Sequence, residues 1–234
     1  MAIRRGELLA SAITGEPLHP VLGDLAAGGN FSKHSKEKAP ISPLHCKDGD
    51  FSELESSPLS SPETIQLLRS MWLLVQSVTQ PARHPILGKN SASDYYRARK
   101  AILGSFEIMP LKEARDYMYE CCRLTATLLL NATENHLPLS SCVANYPVVY
   151  RLEHLLKSQE LSGSRGAFKG VYLNVIIVAY IASLGTSSSG YFQALLGHPM
   201  GYYACGVWEG AYGPLITLKR FQDFCRSQNT RLFP

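Results

Sequence analysis

The sequence predicts an all-α protein: an irregular multi-helix bundle behind a largely disordered N-terminal segment. Three observations carry this. Through most of 62–234 apolar residues recur every three or four positions, the spacing of one helix face. No stretch alternates convincingly with period two, as a half-buried strand would. From Thr14 to Ser61 the chain is rich in Gly, Pro, Ser and Lys without an apolar period, a composition that buries too little surface to offset the entropy of ordering. The expected division is therefore 1–61, a short helix and a flexible linker, and 62–234, an all-helical domain.

The elements follow in order. Residues 3–13 can form a short helix with Leu8, Leu9 and Ala12 on one side. Order resumes at 63–78, where Ser61 caps, Pro62 suits the first helical position and Glu63 lies in the first turn. Ile65, Leu68, Trp72 and Val75 share its inner stripe, and Pro81 ends it. A second helix is expected over 93–105, with Ser93 as its cap. The third, 110–132, divides cleanly at about 100° per residue. Leu111, Ala114, Tyr117, Met118, Cys121, Cys122, Leu124, Thr125, Leu128 and Leu129 fall in one arc. Lys112, Glu113, Asp116, Glu120, Arg123 and Thr127 fall on the other side.

Asn135 and Pro138 close that helix. A fourth, 148–159, follows Pro147 with Val149, Leu152 and Leu156 on its stripe. A fifth, 167–184, is apolar nearly all round (VYLNVIIVAYIASL), the pattern of a central helix. A short helix over 190–196 and a last one over 215–225 flank GHPMGYYACGVWEGAYGP, read as an irregular connection. The last helix turns Leu218, Phe221 and Phe224 or Cys225 inward.

Composition excludes some functions. The chain has 234 residues, 45% hydrophobic and 18% charged, with a net charge of +4. Residues 1–62 carry 6 basic and 8 acidic residues, and 63–234 carry 17 and 11. The basic residues of the second part, among them Arg97, Arg99, Lys100, Arg115, Arg123, Arg151 and Lys157, are scattered and read as solvated helix faces. They lack the clustering that phosphate binding requires. No secretory signal is visible at Met1 to Ala10. The longest apolar stretch, Val171 to Leu184, is short for a membrane span, and membrane association through it is the weakest of the functional readings. The six cysteines, at 46, 121, 122, 142, 205 and 225, show no framework spacing, so free thiols in a reducing compartment are expected.

Cys121 and Cys122 are adjacent on a helix, about 100° apart, so they cannot share an ion or a relaxed disulfide. With no histidine at helical spacing from either, they read as small core hydrophobes. His136, His154 and His198 are available as bases, and Cys142 and Cys205 lie in or near loops, but no local signature joins a base to a nucleophile. Gly163-Ser-Arg-Gly166 and Gly185-Thr-Ser-Ser-Ser-Gly190 lack the spacing of a nucleophile elbow or phosphate loop. They read as helix connections. Tyr202, Tyr203, Trp208 and Tyr212 can line a pocket for a flat ligand, or simply pin their connection to the helices. No catalytic, cofactor-binding or metal-ligating residue is assigned, and no cofactor.

Two boxes resemble a known family. Glu120-Cys-Cys-Arg123-Leu124-Thr-Ala126, followed by apolar Thr127 to Leu130, resembles the Glu-Ala-Cys-Arg-Leu-Ala helix of the fungal-specific transcription factor domain. That domain is the all-helical regulatory region of fungal binuclear zinc-cluster regulators. Cys121 and Thr125 depart from the pattern. Phe168-Lys-Gly170-Val-Tyr-Leu-Asn-Val175, followed by IIVAYIASLG, is similar to the family's Trp-x-x-Gly-Val-Leu-Leu-Trp-Val-Leu-Leu helix, with Phe168 and Asn174 where tryptophan is common. The likeness spans residues 62–200. It implies a nuclear, pathway-specific transcription regulator, for example of secondary metabolism. Its partners would be other regulators, a second copy, or a small-molecule effector. The family's zinc cluster needs two Cys-x2-Cys-x6-Cys runs, and only Cys46 precedes residue 121. DNA contact is therefore expected only indirectly or through a module this chain lacks.

The leading expectation is a non-enzymatic regulatory domain, nuclear or else cytoplasmic. The alternative is a pathway-associated enzyme or small-molecule-binding protein of a fungal biosynthetic cluster, with His198 near Cys205 as the pair folding would have to unite.

Overall fold

The computed structural model describes residues 41–46, 48–79, 91–105, 112–158, 167–203 and 208–232. Among them are eight α-helices and no strand, so the protein is all-α as its periodicity requires. The helices are α1 (Ser52–Glu55), α2 (Pro62–Thr79), α3 (Ser91–Leu103), α4 (Ala114–Glu134), α5 (Tyr146–Ser158), α6 (Lys169–Ser183), α7 (Ser189–Tyr203) and α8 (Trp208–Leu232). Two 3-10 turns, Leu139–Ser141 and Val143–Asn145, join α4 to α5.

The start of α2 is the one the sequence announces. The Ser61 hydroxyl accepts the Thr64 backbone N–H at 3.1 Å, and Pro62 opens the helix. α3 begins at Ser91, two residues before the expected cap, so Ser93 lies inside its first turn. α4 starts at Ala114, where the Asp116 carboxylate accepts the Glu113 N–H at 3.0 Å, and runs two residues past the expected end. There the Asn135 side chain donates to the Asn131 carbonyl at 2.8 Å. His136 then adopts the left-handed region, φ 55°, and the chain turns away.

α4 is the hub. It packs against α2, α3, α5 and α6, and α6 in turn packs on α5 and α7. A helix with neighbours on so many sides has no fully solvated face. Met118, Cys121, Cys122, Leu124, Thr125, Leu128 and Leu129 are buried, as their arc predicts. Glu120 is buried too, and Arg123 is mostly covered. This corrects the solvated-face reading of Arg123: the arc is apolar, but the opposite side meets α5 as well. α6 is buried nearly throughout from Gly170 to Ser183, with Tyr172 and Tyr180 partly exposed, in line with its all-round apolar sequence.

Two further corrections concern boundaries. Part of the expected linker is packed: Leu44, Phe51 and Leu54 are fully buried in the common core. Gly49 sits at φ +70°, and a Cβ there would come within 2.9 Å of the Trp72 ring, so the 41–51 stretch lies close over α2. Order therefore begins ahead of residue 62. The glycine- and proline-bearing connection after Leu196 is largely helical: α7 continues to Tyr203 and α8 starts at Trp208, with Pro214 inside it. Local propensity argues against helix at these residues by about 1 kcal/mol for each Gly and about 3 for Pro. In α8 the helix leads directly into Leu215, Leu218, Phe221 and Cys225, all buried. The expected helix over 3–13 lies outside the described residues.

Candidate functional site

The twin cysteines sit in an environment that keeps their thiols protonated. Both side chains are fully buried. Burial pushes the Cys122 thiol up to about 12. Burial, then the neighbouring Cys122 and Glu120, hold the Cys121 thiol well above its ordinary range. A thiol kept protonated is neither a nucleophile nor a metal ligand. No group of three or more metal-ligating side chains occurs among the described residues, and none of Cys46, Cys121, Cys122, Cys142 and Cys225 forms a disulfide among them.

The other candidate groups are not brought together. His136 is half-buried behind α4, and His154 is exposed on α5. Cys142 is buried between the two 3-10 turns. Burial, with Cys142 nearby, raises the Cys225 thiol to about 12. The 185–190 stretch is a helix connection, as its sequence suggests. The Thr186 hydroxyl donates to the Ser183 carbonyl at 2.7 Å and accepts the Ser188 N–H at 3.3 Å. Gly163 to Gly166, Cys205 and the side chains of His198, Tyr202, Tyr203, Trp208 and Tyr212 lie outside the described part of the structure.

What the fold does assemble is a charged cluster from residues scattered along the sequence. The Glu120 carboxylate accepts both Arg123 donors, at 2.6 and 2.7 Å, in the two-pronged geometry that suits guanidinium. Arg151 of α5 reaches the same carboxylate at 3.1 Å. The spacing of Glu120 and Arg123 predicts an i,i+3 pair. Nothing local predicts Arg151, thirty-one positions on. The cluster ties α4 to α5 at the box that carries the family resemblance. In the second box Phe168 and Asn174 are both buried, and the Asn174 amide makes no hydrogen bond among the described residues.

A second tie fixes the far end of α5. The Glu153 carboxylate accepts Lys157 Nζ at 2.5 Å. Hydrogen bonds from Lys157 and then the Ser188 hydroxyl hold its carboxyl below the usual range. The Lys157 ammonium lies 4.8 Å from the centre of the Tyr191 ring. With its inner stripe (Val149, Leu152, Leu155, Leu156) buried, α5 is held firmly. Among the described residues its outer side is left open: Tyr150 is 67% exposed, Val143 in the preceding turn 66%, and Tyr146 39%. Helical periodicity picks out the inward stripe and leaves this face unmarked. The signal was there, in aromatics at 146 and 150, one turn apart. Among the described residues no helix is long and apolar enough to cross a membrane. Compared with known proteins, the chain matches no family model, no curated protein and no solved structure.

Proposed function

We propose that this protein is a non-catalytic regulatory module of the transcription-regulator kind, acting in the nucleus through contacts with partner proteins. The observation that carries the reading is the outer face of α5. A folded domain that closes its core elsewhere leaves Val143, Tyr146 and Tyr150 on solvent, and large exposed apolar groups on a rigid element favour a contact surface. The resemblance of 120–126 and 168–175 to the fungal regulatory domain supplies the biological context. The first of those boxes also anchors α5, through Glu120 and Arg151. DNA is reached indirectly on this reading, through a partner that carries the DNA-binding module.

The test is a tethered reporter. The full chain, fused to an unrelated DNA-binding domain, is expected to change transcription from a promoter bearing that domain's site, and Tyr150→Ser is expected to reduce the effect while leaving the helical circular dichroism intact. An inert fusion, with turnover of a pathway metabolite by the purified chain, would replace the regulatory reading with the enzymatic one.

A further inference from the structure

We infer that Ser57 is a phosphate-acceptor site for a proline-directed protein kinase, and that the added phosphate loosens the packed 41–55 stretch. The inference goes beyond the regulatory reading and does not depend on it. Three serines are followed by proline: Ser42, Ser57 and Ser61. The fold treats them differently. Ser42 is buried, its hydroxyl accepting the His45 N–H at 3.2 Å, and Pro43 and Leu44 beside it are buried as well. Ser61 caps α2. Its hydroxyl lies 3.1 Å from the Thr64 backbone nitrogen and 3.1 Å from the Thr64 hydroxyl, and Thr64 and Ile65 after it are buried. Ser57 lies in the connection between α1 and α2. No residue from 55 to 61 is buried, and Pro58 is exposed. The Ser57 hydroxyl accepts the Leu59 N–H at 3.3 Å, a long bond.

Those differences select the site. A protein kinase takes its acceptor on an extended, accessible segment, which a surface connection supplies and a helix or packed stretch does not. At Ser42 buried side chains would have to come out first, and at Ser61 the first turn of α2 would have to open. At Ser57 only turn bonds open. Proline supplies the selectivity. It has no N–H, so a kinase subsite that offers that N–H no partner accepts proline and penalises other residues. In the transfer the Ser57 Oγ bonds to the γ-phosphorus of ATP and the bond from that phosphorus to the β–γ bridging oxygen breaks. ADP leaves with the electron pair, and the hydroxyl proton passes to the kinase's carboxylate base. The product carries about two negative charges at neutral pH. Residues 48–68 hold five acids, Asp48, Asp50, Glu53, Glu55 and Glu63, and no lysine or arginine. Arg69 of α2 already lies 3.5 Å from Glu55. A phosphate set among acids is repelled, and the repulsion acts on the stretch that seats Leu44, Phe51 and Leu54 in the core.

The experiment treats the folded full chain with a proline-directed serine/threonine kinase and Mg-ATP, and maps the phosphate by mass spectrometry. The label is expected on Ser57. Ser57→Ala should abolish it, Ser57→Thr should retain it, and Pro58→Ala should slow it about tenfold or more. Ser42→Ala and Ser61→Ala should leave labelling unchanged, with the helical circular dichroism of every variant intact. Hydrogen exchange read by mass spectrometry should run several-fold faster across 41–55 in the phosphorylated chain and stay unchanged in α6. The difference should shrink as salt is raised. An unlabelled folded chain, label chiefly on Ser42 or Ser61, or labelling of Ser57 that is indifferent to Pro58→Ala overturns the site. Unchanged or slower exchange across 41–55 in the phosphorylated chain overturns the loosening.

Discussion

Two clusters of one carboxylate and two cations stand on different helices of this molecule. On α4, Glu120 takes Arg123 three residues on and Arg151 from α5. On α8, Asp223 takes Lys219 at 2.8 Å and Arg226 at 3.2 Å, from four residues before and three after. Each carboxylate has an arginine three residues on, but the second cation comes from another helix in the first cluster and from the same helix in the second. The surroundings are reversed. The Glu120 side chain is 2% exposed and that of Asp223 48%. In the first cluster the anion is inside and a cation closes over it; in the second the anion is outside and the lysine stem lies along the protein. Identical chemistry should thus have unequal consequences, because an unpaired charge is costly only where water cannot reach it.

The comparison is broken most directly at Glu120. Glu120→Ala removes the anion and leaves the mostly covered Arg123 guanidinium without it. Breaking a buried pair from one side costs about 3–5 kcal/mol, and urea denaturation should show a loss of that size. Glu120→Gln, which keeps volume and a hydrogen-bond acceptor, should cost less. A loss below about 1 kcal/mol for the alanine variant would mean that the cluster behaves as a surface pair despite its burial.

The next effect comes from the thiols beside that cluster. Cys122 holds its proton up to about 12 in the fold, against an ordinary value of 9.0. The unfolded chain therefore releases this proton first as pH rises. The contribution is whole below about 9 and is lost progressively towards about 12, at about 1.4 kcal/mol per pH unit for one thiol. Denaturation at about pH 8 and about pH 10 should show stability falling. In Cys122→Ala the fall should be smaller by about 1.4 kcal/mol. An equal fall in both proteins would show that Cys122 ionises as easily in the fold as outside it.

Arg151 sharpens the contrast from the exposed side. It contributes one contact to Glu120 while half its side chain remains in water. Arg151→Ala leaves Glu120 its two bonds to Arg123, so the loss should be about 1 kcal/mol, the range of a partly exposed charge-assisted hydrogen bond. A double-mutant cycle with Glu120→Gln isolates the coupling. A coupling near zero would remove Arg151 from the cluster as an energetic partner.

This contrast also marks what the sequence makes legible. The cap at Ser61 and Pro62, the α4 arc and the all-round apolar α6 are local signals, and each element follows from them. The burial of Cys121 and Cys122 was legible for the same reason, since both fall on the apolar arc of the helix. Glu120 was not, because helical periodicity identifies the most apolar face and says nothing about a second neighbour on the other side. Leu44, Phe51 and Leu54 are three apolar residues in a polar stretch with no period, and only contact with α2 and the rest of the core orders them. The extensions of α7 to Tyr203 and α8 back to Trp208 run through glycine and proline, where local preference points the wrong way. The outer face of α5 was written in Tyr146 and Tyr150, but exposure is a property of what fails to cover a residue, which a sequence does not state.

The smallest effect belongs to the α8 cluster, and it is the control for all the others. Asp223→Asn removes an anion that water already solvates, and the Lys219 ammonium and Arg226 can exchange it for water. Exposed pairs at helical spacing are worth about 0.3–0.5 kcal/mol, so urea denaturation should shift by no more than that, and less at high salt. Lys219 is the reason to do the measurement. Its side chain is only 13% exposed, because a lysine stem can lie buried while its charged head reaches solvent. If the head does reach water, the loss stays small and salt-sensitive. If Asp223→Asn costs as much as Glu120→Gln and salt does not change it, the burial of the cation rather than of the carboxylate sets the energy of such clusters. The α4 cluster would then owe its strength to Arg123.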